Sequence, residues 1–212
     1  MSNIIKNIIF DFGGVILNID FNKSIKAFSE LGIDSFEKYY SHYIQSDFFA
    51  DLETGNISPE VFYESVKKLA NNKCSQEEIC NAWNAMLLDL PKNRIDLLKK
   101  IKTKYRSFLL SNSNAIHYDK YLADLNKEHN IASFDNLFEK TFFSFRLGIK
   151  KPSMEIFSLV LSQNNILAKE TLFIDDSIQN IEAAKNCGLH TYCLKPSEDV
   201  VNLFDKEGIL LF

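Results

Sequence analysis

The sequence predicts an α/β fold, a doubly wound parallel sheet that carries an inserted helical region. Short apolar runs, typical of strands buried on both faces, recur along the chain. Helical patterns separate the later runs, whereas residues 21–90 contain helical patterns and no strand pattern. With 212 residues, 46% of them hydrophobic and 25% charged, the chain is long enough to bury the core that this fold needs.

The strands and helices of the sheet domain alternate in order. The first strand is predicted at residues 4–10, and four more are predicted at residues 107–110, 141–145, 171–174 and 190–194. Apolar residues recur at helical spacing in residues 93–104, 154–164 and 178–186. Because strand and helix alternate, the strands are expected to lie parallel, with helices on both faces of the sheet.

The segment after the first strand breaks this alternation. Amphipathic helices are predicted at residues 21–31, 36–44, 59–70 and 76–88. Ser58 and Pro59 form a helix start, with a capping hydroxyl followed by proline in the first turn. We therefore predict a core domain of residues 1–17 and 91–212 and a helical domain of residues 18–90. The connections between them fall at residues 18–21 and 89–91.

The composition of the chain argues against nucleic-acid and membrane partners. The net charge is -4 and no long basic run exists, so a nucleic-acid partner is not expected. No apolar run is long enough to span a bilayer, and the N-terminal residues do not resemble a signal peptide, so we expect a cytoplasmic protein without a membrane partner. The cysteines lack the CxxC spacing of metal sites and are expected to be reduced; they are Cys74, Cys80, Cys187 and Cys193.

Polar residues follow the predicted strands at the points where ligands bind in an open parallel sheet. They are Asp11 after the first strand, Ser111 and Asn112 after the second, Lys150 and Lys151 before a helix, and Asp175 and Asp176 after the fourth. Taken singly, each is an ordinary turn, cap or solvated residue. Taken together, they place acids, a hydroxyl and a lysine on one edge of the sheet.

This set of groups suits one kind of chemistry. Three carboxylates, with water or carbonyl oxygens, suit the hard cation Mg²⁺. A hydroxyl and a lysine suit a phosphoryl group. An aspartate can itself attack phosphorus and form an aspartyl-phosphate.

The order of these motifs resembles the haloacid dehalogenase-like hydrolase superfamily, whose members have a Rossmann-like core, here with a helical cap after the first strand. The resemblance covers nearly the whole chain. It rests on the segments FDFGGVILNIDFN, LLSNSN, GIKKP and FIDDSIQNIEAAKNCG. Within the superfamily, these segments resemble bacterial phosphatases of α-D-glucose 1-phosphate and other small sugar phosphates. A small phosphorylated metabolite, in particular a sugar phosphate, is therefore the expected partner.

The resemblance also implies roles for individual residues. Asp11 is expected to be the nucleophile, and Lys151 to neutralise it and the transferring group. Ser111 and the adjacent Asn112 are expected to hold phosphoryl oxygens. Mg²⁺ is the expected cofactor, and the residues expected to hold it are Asp11, the backbone carbonyl of Gly13, Asp175 and Asp176, with Asn180 in support. Of the two consecutive acids, Asp176 is the one expected to contact the cation directly.

Gly13 departs from the superfamily pattern. Most phosphatases of this superfamily carry there a second aspartate that protonates the leaving oxygen and then activates water. A glycine keeps the metal-binding carbonyl but removes an acid–base group worth about 10²- to 10⁴-fold. A sugar 1-phosphate needs less of this help because its hemiacetal oxygen leaves more readily than an alkoxide.

Two acids are candidates to replace the missing group. Asp20 lies just beyond the first strand, and Glu53 lies in residues 46–56, whose counterpart in the superfamily faces the substrate. Glu53 is also expected to bind substrate. For both residues the simpler interpretation is a capping aspartate and a solvated glutamate. Phe48 and Phe49 are expected in the core of the cap, with an apolar wall of the site as the alternative, and Trp83 is expected to pack in a core.

Three other functions compete with a phosphatase. A 2-haloacid dehalogenase uses the same nucleophile without a metal, but the Asp175–Asp176 pair has no purpose there. A catalytically idle binding protein agrees with Gly13 alone. A phosphosugar mutase depends on the missing acid–base group, so hydrolysis is preferred.

Overall fold

The computed structural model describes residues 5–33, 36, 47–71 and 73–212. These residues contain a sheet of five parallel strands in the order β3-β2-β1-β4-β5. The strands are β1 (Asn7–Phe10), β2 (Arg106–Ser111), β3 (Lys140–Phe143), β4 (Thr171–Asp175) and β5 (His190–Cys193). The predicted α/β fold with a parallel sheet is confirmed. Ile4, the predicted start of the first strand, lies outside the described residues.

The helices within the described residues cover both the predicted and some unpredicted segments. They are α1 (Phe21–Glu30), α2 (Asp47–Glu53), α3 (Pro59–Leu69), α4 (Gln76–Asn84), α5 (Lys92–Ile101), α6 (Ala115–His129), α7 (Ser144–Leu147), α8 (Met154–Asn164) and α9 (Ile178–Asn186). The helices α8 and α9 have the predicted bounds. The helices α2 and α6 were not predicted, and all of the predicted helix 36–44 except Phe36 lies outside the described residues.

One predicted strand was too long for a local reason. Strand β3 ends at Phe143, two residues early, because Ser144 begins α7. The Ser144 hydroxyl accepts a hydrogen bond from the Ser113 N–H at 2.9 Å and donates one to the Ser113 carbonyl at 3.0 Å. This pair of bonds joins the loops that follow β2 and β3, so the chain turns there.

Both faces of the sheet are covered, as a doubly wound fold requires. Ile8 and Phe10 pack on one face with residues of α5 and α6. Ile9 and Phe173 pack on the other face with residues of α8 and α9. Burial on both faces explains why the strands read as continuous apolar runs rather than as alternating ones.

The helical region has a hydrophobic core of its own. Trp83 is 1% exposed and packs among Phe28, Phe49 and Phe62. The predicted core positions of Trp83 and Phe49 are thus confirmed, and Ser58 caps α3 as predicted. Ile116, at the start of α6, joins this core, so the helical region rests on the N-terminal end of α6.

The two chain crossings between the sheet and the helical region lie side by side. The Asn18 N–H donates to the Asp89 carbonyl at 3.0 Å, and the Leu88 N–H donates to the Asn18 carbonyl at 2.9 Å. The buried Arg94 guanidinium supports the crossing, since it donates to the Asn18 side chain at 3.0 Å and to Asp199 at 3.0 Å. The chain therefore leaves the sheet region and returns to it at adjacent positions, which these hydrogen bonds hold together.

The structure also shows the state of the cysteines and the character of the helices in relation to a membrane. Among the described residues, no helix combines the length and the apolar character needed to cross a membrane. The four cysteines are free thiols, as predicted.

Candidate active site

A pocket of about 430 Å³ lies at the carboxyl ends of the central strands. Asp11 follows β1, Ser111 ends β2 and Asp176 follows β4, so the three strands bring these side chains to one edge of the sheet. The helical region closes the opposite side of the pocket, which is lined there by Ala50, Glu53, Met86 and Leu87. The pocket therefore has a polar floor on the sheet and a wall from the helical region.

Lys151 occupies the centre of the floor and is 2% exposed. Its Nζ donates to Asp11 Oδ1 at 2.6 Å and to Asp175 Oδ2 at 2.7 Å. The Asn112 amide fixes the lysine backbone, since its Oδ1 accepts from the Lys151 N–H at 2.9 Å and its Nδ2 donates to the Lys151 carbonyl at 2.9 Å. The ammonium group is thus held between two carboxylates.

The surroundings of Asp11 disfavour the ionised form of its carboxyl group. Burial raises the pKa of the Asp11 carboxyl to about 7; Lys151 opposes this rise, while Asp175 and Asp176 add to it. Burial by itself lowers the pKa of Lys151, but the carboxylates of Asp11 and Asp175 raise it above its ordinary value. Lys151 therefore stays charged, whereas burial and the neighbouring carboxylates of Asp175 and Asp176 oppose the ionisation of Asp11.

The two consecutive acids after β4 have different surroundings. Asp175 is fully buried, and both of its oxygens already accept hydrogen bonds, from the Ser177 N–H, the Asn180 amide and Lys151. Asp176 is exposed and lines the pocket. Asp175 is thus placed to orient Lys151, whereas Asp176 presents its carboxylate to the pocket.

The carboxylates form a candidate cation site. Oxygens of Asp11, Asp175 and Asp176 lie within 4.8 Å of one another. Gly14 has a φ of +80°, and a Cβ there would lie 2.2 Å from Asp176 Oδ2, so the close approach of Asp176 depends on this glycine. Because the cluster holds excess negative charge, these residues fit a hard divalent cation.

Gly13 is not constrained in the same way as Gly14. It lines the pocket, and a Cβ there would meet Ile19 Cδ1 at 3.3 Å, the end of a flexible side chain. The backbone at Gly13 therefore accepts a larger residue with a small shift of Ile19. The absence of a side chain at this position is a property of the site rather than a demand of the fold.

The two predicted phosphate-binding residues at the end of β2, Ser111 and Asn112, differ in the hydrogen bonds of their side chains. The Ser111 side chain is 2% exposed and lines the pocket, where its hydroxyl makes only a long contact of 3.3 Å with the Asn112 carbonyl. The Asn112 amide also lines the pocket, but it is joined to the Lys151 backbone. The structure thus places Ser111 to meet a ligand and gives Asn112 a positioning contact.

Glu53 reaches the pocket from the C-terminal end of α2. It is 8% exposed, and its Oε2 accepts a hydrogen bond from Lys150 Nζ at 3.0 Å. Two residues later, Gly55 lies so close to the Phe145 carbonyl that a Cβ would stand 2.3 Å from that oxygen. The helical region is therefore seated on the segment that carries the two lysines.

The second acid proposed to replace the missing aspartate is engaged elsewhere. The Asp20 side chain caps α1, where its Oδ1 accepts from the Asn22 N–H at 3.0 Å. The pocket lining does not include Asp20. This position agrees with the simpler interpretation of Asp20 as a capping residue.

His117 and Tyr121 are among the pocket residues that were not identified from the sequence. They lie one turn apart on α6 and both line the pocket. The Tyr121 hydroxyl lies 3.2 Å from Ser113 Oγ, and burial raises the pKa of Tyr121, which keeps the phenol neutral. Both residues follow the LLSNSN segment, but their direction depends on α6, which was not predicted.

Comparison with known proteins gives a consistent result. Residues 5–188 match the sequence profile of the haloacid dehalogenase-like hydrolases. A D-ribitol-5-phosphate phosphatase of Bacteroides thetaiotaomicron is 31% identical over 188 residues, which cover 89% of this chain and 91% of that protein.

Two solved structures extend the likeness to the fold. A haloacid dehalogenase family enzyme of Bacteroides thetaiotaomicron, crystallised as wild type with magnesium and inorganic phosphate, is 35% identical with a TM-score of 0.87; the match covers 95% of this chain and all of that one. A predicted hydrolase of the same family from Porphyromonas gingivalis is 29% identical with a TM-score of 0.85, covering 94% of this chain and 95% of that one.

Proposed function

The chain belongs to the haloacid dehalogenase-like hydrolases, and on that premise we propose that it is a Mg²⁺-dependent phosphatase of small sugar or sugar-alcohol phosphates. The reaction would pass through an aspartyl-phosphate on Asp11. The observation that carries this proposal is the cluster of Asp11, Lys151, Asp175 and Asp176 at the floor of the pocket. In this cluster the Asp11 nucleophile lies beside the Lys151 ammonium group and two further carboxylates.

The side chains around Asp11 divide the work of the first step. Lys151 donates to Oδ1 of Asp11, which leaves Oδ2 for the attack on phosphorus. The P–O bond to the leaving group then breaks, and the leaving oxygen takes up a proton from water. Ser111 would hold a phosphoryl oxygen, and the Lys151 charge offsets the negative charge of the transferring group.

The second step returns Asp11 to its starting state. Water attacks the phosphorus of the aspartyl-phosphate, the bond to the Asp11 oxygen breaks, and inorganic phosphate leaves. Asp175 keeps Lys151 in place through both steps, because its own oxygens are fixed by Asn180 and the Ser177 N–H. Asn112 contributes by holding the Lys151 backbone.

Asp11, Asp176 and the Gly13 carbonyl are proposed to hold Mg²⁺, with Asp175 close behind them. When bound, the cation would offset the repulsion between carboxylates and phosphate and polarise the phosphoryl group. A magnesium complex with phosphate has been solved for one of the similar enzymes, which supports this assignment.

The helical region is proposed to act as a cap domain of residues 18–90 over a core of residues 1–17 and 91–212. Its wall of the pocket would contact the leaving group, since the phosphoryl group is bound at the floor. Glu53 is then a substrate-binding candidate that Lys150 holds in place. The leaving group is proposed to be a sugar hemiacetal, as in glucose 1-phosphate, or a sugar alcohol, as in the D-ribitol 5-phosphate named for the relative from Bacteroides thetaiotaomicron.

The test is a phosphate-release assay on D-ribitol 5-phosphate, α-D-glucose 1-phosphate and other sugar phosphates, with Mg²⁺ or with EDTA. We expect Mg²⁺-dependent release that Asp11→Asn abolishes, by a factor of about 10⁴ or more, since the nucleophile is lost. The dehalogenase alternative is tested in parallel by halide release from 2-chloropropionate. Halide release that EDTA does not affect, or equal inactivity of wild type and Asp11→Asn on every phosphate ester, would contradict the proposal.

A further inference from the structure

His117 lies in the pocket wall, where its ring contacts two aromatic residues, Trp83 of α4 and Tyr121 of α6. The ring stacks on Trp83 with centroids 4.7 Å apart and an interplanar angle of 22°. Its Nε2 lies 3.3 Å from the Trp83 carbonyl, and the residue is 5% exposed. The imidazole is therefore anchored to the helical region although it belongs to α6 of the sheet domain.

These contacts determine which ring nitrogen carries the proton. A carbonyl oxygen only accepts hydrogen bonds, so Nε2 must be the donor. Burial lowers the pKa of His117 to about 4, which keeps the ring neutral near neutral pH and leaves Nδ1 without a proton. None of the described residues donates a hydrogen bond to Nδ1, and His117 lines the pocket.

We propose that His117 is a specificity residue whose Nδ1 accepts a hydrogen bond from a hydroxyl group of the leaving group. This inference rests on the proposed phosphatase function and adds a recognition group that the sequence motifs do not include. The wall around His117 also holds Glu53, a second acceptor, among the apolar side chains of Ile19, Met86 and Leu87. Such a wall suits a carbon chain that presents hydroxyl donors, and it is unsuited to a second anionic group.

The two ring nitrogens can be tested separately with two amide substitutions. In His117→Asn, the side-chain oxygen lies near the position of Nδ1, so the acceptor is kept and the bond to Trp83 is lost. In His117→Gln, the longer amide reaches the position of Nε2, so the bond to Trp83 is kept and the acceptor at Nδ1 is lost. A purely structural role of His117 predicts that His117→Gln is the milder change, whereas the proposal predicts the opposite for substrate preference.

The experiment compares kcat/KM for D-ribitol 5-phosphate with kcat/KM for n-pentyl phosphate, which has five carbons and no other hydroxyl. We expect the wild type to prefer the ribitol ester and His117→Gln to reduce that preference about three- to tenfold, the value of one hydrogen bond between neutral groups. His117→Asn is expected to retain more of the preference than His117→Gln. Most of the change should appear in KM, because the hydroxyl lies away from the reacting phosphorus.

The outcomes separate this inference from the proposed function. Mg²⁺-dependent hydrolysis by wild type with an unchanged preference in His117→Gln, or a larger loss in His117→Asn, would overturn the role of Nδ1 and leave the phosphatase function in place. Absence of phosphate release from both esters and from the sugar-phosphate panel by wild type would overturn the function and this inference together.

Discussion

Lys150 and Lys151 are neighbours in the chain, yet they serve opposite parts of the pocket. Lys151 is 2% exposed and lies between Asp11 and Asp175, with its backbone held by Asn112. Lys150 has a side chain 26% exposed and pairs with Glu53 of the helical region. At the floor, polar groups fix one another through several bonds each, whereas at the wall one ion pair joins two separate parts of the chain.

This difference indicates how the two parts of the pocket divide the function. A floor in which Lys151 is bonded to both Asp11 and Asp175 suits a phosphoryl group that is the same in every substrate. A wall with few bonds of its own suits leaving groups that differ in shape. Substitutions at the floor should therefore affect all substrates equally, and substitutions at the wall should affect some more than others.

The largest effect is expected for Lys151→Met. Loss of the ammonium removes the positive charge that the buried carboxylates of Asp11 and Asp175 share, so we expect kcat to fall about 10³-fold or more for every ester. The free energy of unfolding should fall by about 3–5 kcal/mol, as for other broken buried ion pairs. Steady-state kinetics and urea denaturation measure the two effects.

Lys150→Met is the matched control for this comparison. Because the Lys150–Glu53 pair is partly exposed, its loss should change stability by less than about 1 kcal/mol and kcat/KM by less than about tenfold. Equal losses in the two variants would show that floor and wall do not differ as described.

The next effect is expected for Gly14→Ala, which tests the cation site of the floor. A Cβ at this position would displace the Asp176 carboxylate, so the Mg²⁺ concentration for half-maximal activity should rise about 10- to 100-fold. Gly148→Ala is the control, since Gly148 also has a positive φ, +72°, but open space around its Cβ position. An effect of similar size in Gly148→Ala would point to backbone strain instead of the metal site.

Gly13→Asp tests whether the floor lacks an acid–base group. Ile19 can shift to admit the side chain, and a carboxyl there should raise kcat for D-ribitol 5-phosphate by roughly tenfold. The gain should be smaller for glucose 1-phosphate, whose leaving oxygen needs less protonation. Gly13→Asn supplies the same volume without the acid, and a gain of the same size in that variant would exclude proton transfer as the cause.

The smallest effect concerns stability and its dependence on pH. The pKa of Asp11 is about 7 in the folded protein against an ordinary value of 3.8, so the folded state binds more protons between these values. The wild type should therefore lose stability as pH rises through this range, and Asp11→Asn should not. Above about pH 7.5 in EDTA, we expect the variant to be more stable by about 1–2 kcal/mol, with the loss of one Lys151 contact limiting the gain.

Urea denaturation at about pH 5 and about pH 8, with and without Mg²⁺, measures this difference. Added Mg²⁺ should stabilise the wild type more than the variant, since the variant lacks one carboxylate of the site. A constant difference at both pH values would show that Asp11 is ionised throughout and that Lys151 offsets the surrounding charge.

Much of the floor could be predicted from the sequence because its residues follow buried strands directly. A short apolar strand that ends in a polar residue determines where that residue lies, and Asp11, Ser111 and Asp175 obey this rule. The family resemblance favoured Asp176 over Asp175 for direct contact with the cation, but the strand pattern alone did not distinguish the two acids. Their difference arises because β4 extends to Asp175, which is buried and bonded, while Asp176 lies past the strand end.

The wall was harder to predict because it depends on contacts between distant residues. Glu53 meets Lys150 across 97 positions of the chain, and His117 meets the carbonyl of Trp83 across 34. Helix α6 does carry a helical signal, since Tyr118, Tyr121, Leu122 and Leu125 recur at i, i+3, i+4 and i+7 and pack in the core beside the sheet. This spacing predicts the helix, but it gives no direct signal for His117, whose position in the pocket depends on its contact with Trp83.

The paired crossings at Asn18 and Asp89 have a consequence for how such proteins can diversify. The two connecting segments are hydrogen-bonded to each other at 2.9–3.0 Å, so the points where the chain leaves and re-enters the sheet region are adjacent. A shorter turn or a different set of helices could be grafted between the same points without stretching the backbone. Recombination could thus replace the inserted helices of the wall in one event, while His117, Arg94 and the strands stay in place.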